Sequence, residues 1–105
     1  MSTFADLSRP IALLRLLVDE HPDLPAISLH ISKHAPDCLN LEVHGDLAVF
    51  EQWREALGID PAGIRRNLQS ADTTMVLSAF GTVADCRVQL VSYSANLALL
   101  TEAAA

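Results

Sequence analysis

Residues 26–44 read AISLHISKHAPDCLNLEVH, and two short runs within them alternate aliphatic with polar side chains. In Ala26 to Ile31 the aliphatics are Ile27, Leu29 and Ile31; in Leu39 to Val43 they are Leu39, Leu41 and Val43. Successive side chains of a strand point to opposite faces, so each run reads as a strand with one face buried. Ser32 to Cys38 contains Pro36 and Asp37, and a connection of about six residues closes the runs into an antiparallel hairpin. His30 then lies across from about Asn40, and Ser28 from about Glu42. Ser28, His30, Cys38, Asn40, Glu42 and His44 share the face turned away from the core.

That parity decides how the histidines are read. All four, with Cys38, fall between His21 and His44. Zinc holds each ligand at about 2 Å, and His30 and His44 stand several residues apart on one strand pair. None of the compact ligand spacings is present, so no metal and no cofactor is expected. Cys38, His34 and Asp37 supply the residue types of a nucleophilic site. They share one short loop, without the glycine-rich turn or helix N-terminus that would stabilise an oxyanion. No catalytic residue is assigned, and the histidines are read as a wetted strand and loop surface.

Working outward, Phe4, Leu7, Ile11, Leu14 and Val18 recur at helical spacing, and Leu13, Leu16 and Leu17 widen the stripe. Ser8 before Arg9-Pro10 fits an N-cap followed by an early helical proline, which makes Phe4 and Leu7 a lead-in, and His21-Pro22 stops the helix. This apolar face is wider than one sheet needs, which points either to self-association or to a helix set deep in the core. Asp46 supplies the N-cap of a second helix over Leu47 to Leu57, with Val49, Phe50, Trp53, Ala56 and Leu57 on one face and Gly58 as its left-handed terminus. Trp53 on that stripe reads as core.

Ile64 to Gln69 is a weak strand whose Arg65 and Arg66 suit an edge. Thr73 to Phe80 and Val83 to Tyr93 form a second hairpin separated near Gly81, with Met75, Leu77, Ala79, Cys86, Val88 and Leu90 inward. Asn67, Arg87, Gln89, Val91 and Tyr93 fall on the outward parity. The expected fold is α+β in the order αββαβββ: a two-layer sandwich, an antiparallel sheet of four or five strands with two helices on one face. Residues 1–95 form a single domain, and 96–105 a tail that is a short helix or disordered.

Thirteen acidic against seven basic residues give a net charge of −6, the wrong sign for a surface that must neutralise phosphates, so nucleic acid is not expected as a partner. No run is long enough to cross a membrane, residues 1–12 lack signal-peptide features, and two cysteines make no disulfide framework, so a cytoplasmic location is expected. The glycines at 45, 58, 63 and 81 read as turn or cap residues, which leaves no phosphate loop. Half the residues are hydrophobic but only five are aromatic. A greasy chain this small suits a surface covered by a second copy.

Over Phe50-Glu51-Gln52-Trp53-Arg54-Glu55-Ala56-Leu57-Gly58-Ile59-Asp60-Pro61, flanked on each side by an apolar hairpin, the chain resembles small actinobacterial proteins of about this length with a helix-hairpin-helix-hairpin layout. The abundance of alanine, arginine and aspartate beside a single lysine, Lys33, fits such a source. The resemblance implies no activity and transfers no functional residue.

The functional expectation is a non-enzymatic cytoplasmic protein-binding module, a homodimer through the first helix or the sheet edge, with His30, Glu42, His44, Arg87 and Tyr93 as binding residues on the outer sheet face. One alternative is a small enzyme or small-molecule binder on that face or at the dimer interface. Another is an acidic inhibitor of a nucleic-acid enzyme, which requires the carboxylates gathered on one side.

Overall fold

The computed structural model describes residues 3–69 and 74–95. The expected tail, 96–105, and Thr73, the expected start of a strand, lie outside them. A 3-10 turn at Phe4–Leu7 leads into α1, Ser8–Glu20; β1, Ser28–His30, and β2, Cys38–His44, follow, then α2, Leu47–Leu57. A second 3-10 turn at Pro61–Gly63 precedes β3, Arg65–Gln69, β4, Thr74–Val83, and β5, Cys86–Ala95. Among the described residues the fold is α+β, with two α-helices and one sheet of five strands in the order β1-β2-β5-β4-β3.

The sheet is mixed, which corrects the expectation of an antiparallel one. The β1–β2, β3–β4 and β4–β5 pairs are antiparallel, but β2 and β5 run parallel, with Leu39 beside Val88 and Leu41 beside Leu90. Alternation fixes which face a side chain takes and says nothing of which strand lies next door. Here β3, with Arg65 and Arg66 exposed, is too polar for the interior. It stays at an edge while β5, which buries Val88 and Leu90 on one face and Val91 on the other, takes the centre.

The parity itself holds. Ser28 pairs with Glu42, Leu29 with Leu41 and His30 with Asn40. Leu39, Leu41 and Val43 join Ala79, Cys86, Val88 and Leu90 in one core cluster with Leu13 and Leu17 of α1 and Phe50, Trp53 and Leu57 of α2. The first strand is shorter than expected, however, with Ala26, Ile27 and Ile31 outside it. Leu29, though in register with the buried Leu41, is 51% exposed, because its strand is an edge.

The helices follow local chemistry closely at α2 and less so at α1. Asp46 accepts hydrogen bonds from the amides of Ala48 and Val49 at 3.0 and 3.2 Å, satisfying two donors that a helix start leaves free. Gly58 closes α2 at φ 70°, where a side chain would be strained. In α1 the N-cap is Leu7, without a side-chain cap, and not Ser8, which is already helical. The buried face is Pro10, Leu13 and Leu17, while Phe4, Ile11 and Val18 of the expected stripe are exposed.

Gly81 is not the turn between β4 and β5. That turn is Ala84-Asp85, at φ 48° and 61°, closed by the Val83–Cys86 pair, a two-residue connection of the kind that favours Asn-Gly. Gly81 instead lies in β4, where a Cβ would come within 3.0 Å of the Ile59 Cγ1 atom. A side chain at 81 makes the buried Ile59 give way by a few tenths of an ångström, and the branches of a valine add to the crowding. Gly81→Val is expected to cost about 1–3 kcal/mol in urea denaturation, and Ile59→Ala in the same chain to cost less than it does alone, since the two share one space.

Candidate functional site

The outward side chains of β1, β2 and β5 form the surface on which binding residues were expected, and the structure sorts them into two groups. At one end of the β2–β5 pair, His44 lies beside Tyr93 in register, their rings stacked at 5.3 Å between centroids and 14° between planes. The His44 Nε2 atom is 3.6 Å from Glu42 Oε2, an ion pair when the imidazole is protonated. Alternation two residues apart on β2 puts Glu42 and His44 on one side, and parallel pairing brings Tyr93 alongside. These two residues, with Ser28, Asp46, Val43 and Val49, border a hollow of about 430 Å³ between the start of β1 and the start of α2.

Arg87 is elsewhere. It pairs with Cys38, six positions from the His44–Tyr93 pair, which at about 3.3 Å per residue is roughly 20 Å along the strands. Its Nη2 atom donates to Asp37 Oδ1 at 2.8 Å, and its backbone N–H to the Asp37 carbonyl at 3.1 Å, so the loop after β1 is latched to β5. The guanidinium holds the Asp37 carboxyl below its ordinary range. His30 stands on the edge strand opposite Asn40. The structure thus brings Glu42, His44 and Tyr93 together and separates His30 and Arg87 from them.

Asp37 also bears on the loop constellation. With its carboxylate held by Arg87, it is not free to orient His34 towards Cys38. The closest hydrogen-bonding contact of the Cys38 thiol is the Leu39 carbonyl, at 3.9 Å. Cys86 lies on the opposite face of the sheet, buried, and burial pushes its thiol pKa up. Both cysteines are free. Among the described residues no group of three or more His, Cys, Asp or Glu could hold a metal ion, and no helix is long and apolar enough to cross a membrane.

Three residues escaped the sequence reading. Phe80, outward on β4 and half exposed, borders a second hollow on the outer face with Cys38, Arg87 and Gln89; the inward parity of Ala79 already implied its direction. Ser92 is fully buried on the core side between Val43 and Leu77, its hydroxyl without a hydrogen-bond partner. Arg54 is buried on α2, with Nε donating to Glu51 Oε2 at 2.8 Å, Nη2 to Glu51 Oε1, and Nη1 to the Ile59 carbonyl. Nothing in a helical pattern marks an arginine that turns back to hold the chain leaving its own helix.

Arg54 keeps the Glu51 carboxyl below its ordinary range, as Arg87 does for Asp37. A carboxylate with a lowered folded-state pKa stabilises the fold above its unfolded pKa, and that contribution disappears as pH falls through the folded value. Urea midpoints are therefore expected to fall as pH drops below about 4, and to fall less steeply in a Glu51→Gln, Asp37→Asn variant. Both carboxylate side chains are about half exposed, so 1 M salt should shrink the difference.

No protein-family model, curated protein or solved structure matches this chain.

Proposed function

We propose that the chain is a non-enzymatic cytoplasmic module that binds another protein on the outer face of its sheet and works as a homodimer. In this reading the architecture is a two-layer one: α1 and α2 cover one face, and the other is the docking surface. The observation that carries it is the uneven placement of charge. The chain has thirteen acidic residues against seven basic, yet the only carboxylate on the outward parity of the described strand residues is Glu42. Arg65, Arg87, His30 and His44 share that face with it.

An acidic protein with an uncharged to basic sheet face, set with the exposed ring of Phe80 and the half-buried ring of Tyr93, suits a partner that presents carboxylates around an apolar side chain. The likeness of Phe50–Pro61 to small actinobacterial proteins belongs to this proposal and adds no site residue. A photo-crosslinking residue at Phe80 is expected to trap one discrete protein in cells, with a yield that falls as salt rises, while the same residue at Glu55 on α2 traps none. A monomer at all concentrations in light scattering, together with no adduct at Phe80, would overturn the reading.

One observation favours a second reading, a small-molecule site: Glu42, His44 and Tyr93 meet beside a hollow of about 430 Å³, a volume within the range of ligand pockets. A compound retained through native mass spectrometry, and lost in His44→Ala, would support it.

A further inference from the structure

We propose that two copies of the chain pack their α1 helices antiparallel about a two-fold axis at Ile11, and that each seats its Phe4 at the mouth of the apolar groove between α1 and β1 of the other. The inference rests on the homodimer reading and supplies its interface.

The exposed side of α1 is the starting point. Leu13 and Leu17 point into the core, yet Phe4 is 79%, Ile11 40% and Val18 63% exposed, with Leu7 and Leu14 half-buried between them. Leu7, Ile11, Leu14 and Val18 follow one another at steps of four, three and four, the spacing of a seam between two helices, and Phe4 precedes them in the 3-10 turn. No charged residue interrupts the stripe. Its Leu14 also packs against the core, while Phe4, Ile11 and Val18 are left in water.

The two ends of the seam are equidistant from Ile11. Ile11 stands seven residues from both Phe4 and Val18, so a two-fold axis at Ile11 sets Ile11 against its own copy, Leu7 beside the partner copy's Leu14 position, and Phe4 against the Val18 position. Val18 is where the helix meets a ready-made receptacle. With Leu14, Leu17, Leu24, Ile27 and Leu29 it lines a groove of about 260 Å³ that has Trp53 on its wall. Leu29, half exposed on the edge strand, forms the far side of that groove. One copy offers an exposed aromatic ring, and the other offers an apolar slot at the same level of the helix.

The area fits a second copy of this chain. At roughly 200 Å² for a large side chain, Phe4, Ile11, Val18 and Leu29 with their half-buried neighbours expose on the order of 500 Å² of apolar surface. A stable dimer buries about 800 Å² per partner, some 65% of it apolar in homodimers. The stripe and groove therefore supply the apolar part of a dimer interface without help from any other surface.

The test is sedimentation equilibrium and light scattering on the purified chain. Wild type is expected to be dimeric. Ile11→Asp, folded by circular dichroism, is expected to weaken association about a hundredfold, while Leu16→Glu, on the other flank of α1 and 37% exposed, leaves it unchanged. A position on the two-fold axis meets itself, so Ile11→Cys in a Cys38→Ser background is expected to form a disulfide-linked dimer on mild oxidation, and Leu16→Cys is not. A wild-type dimer that survives Ile11→Asp and does not cross-link at 11 overturns this interface and leaves the homodimer reading standing. A wild type that stays monomeric overturns both.

Discussion

Replacing Trp53 with alanine is expected to lower the free energy of unfolding by about 4 kcal/mol, the middle of the range for truncating a buried aromatic. Two effects combine. The indole is buried in the core cluster with Phe50, Leu57, Leu13 and Leu17, so its removal opens a void that the helices cannot close without shifting. Its Nε1–H also donates to the Pro25 carbonyl at 2.9 Å, tying α2 to the segment that enters β1 across 28 residues of sequence. Trp53→Phe keeps most of the volume and loses the donor, so a cost of about 1–2 kcal/mol is expected. A domain of this size has about 5–15 kcal/mol in total, so the alanine variant should unfold at markedly lower urea by circular dichroism. Equal midpoints for Trp53→Ala and Trp53→Phe would contradict the volume argument.

Leu41→Ala is expected to cost about 3 kcal/mol, and Leu29→Ala less than about 1 kcal/mol. The comparison is informative because the two leucines are register partners on adjacent strands, pointing the same way. They differ in what lies beyond them. Leu41 is fully buried between β1 and β5, against Leu90, while Leu29 is at the sheet edge and half exposed. Matched urea titrations of the two variants measure burial with residue type held constant. Similar losses would mean that Leu29 is covered in solution, and the dimer proposed above would cover it, so the pair should be run both above and below the association midpoint.

How far the sequence spoke for the fold can be followed residue by residue. Wherever the signal was local, it was readable: Asp46 and Gly58 bound α2 at the expected positions, and alternation put Leu39, Leu41 and Val43 in the core and His44 outside it. Where the answer depended on contacts between distant segments, it was not. The parallel union of β2 with β5 is invisible to alternation. The Ala84-Asp85 turn carries none of the usual glycine or asparagine, and Gly81 drew attention away from it because its reason for being glycine, the approach of Ile59, is tertiary. In α1 two apolar stripes share one helix, and periodicity alone could not say which of them the sheet would take.

The candidate site was legible to the same extent. Parity placed His30, Glu42, His44, Arg87 and Tyr93 on one face, but not their spacing along it. That depended on the β2–β5 register, which sets Tyr93 beside His44 and sends Arg87 to the far end, where Asp37 holds it. Phe80 was missed although the parity of Ala79 implied it. For Arg54 the spacing to Glu51 was readable, but its burial and its bond to the Ile59 carbonyl, just past its own helix, were not.

The position of β5 has a consequence for how the chain is made. It is the last described strand in sequence and the middle one in space, flanked by β2 on one side and β4 on the other. A ribosome that has delivered residues only as far as Val83 has released two separate hairpin fragments, with Leu39 and Leu41 uncovered and no neighbour to zip against. Closure of the sheet waits for β5, so any nascent intermediate must remain soluble, or be sheltered, until Cys86 to Ala95 has cleared the exit tunnel.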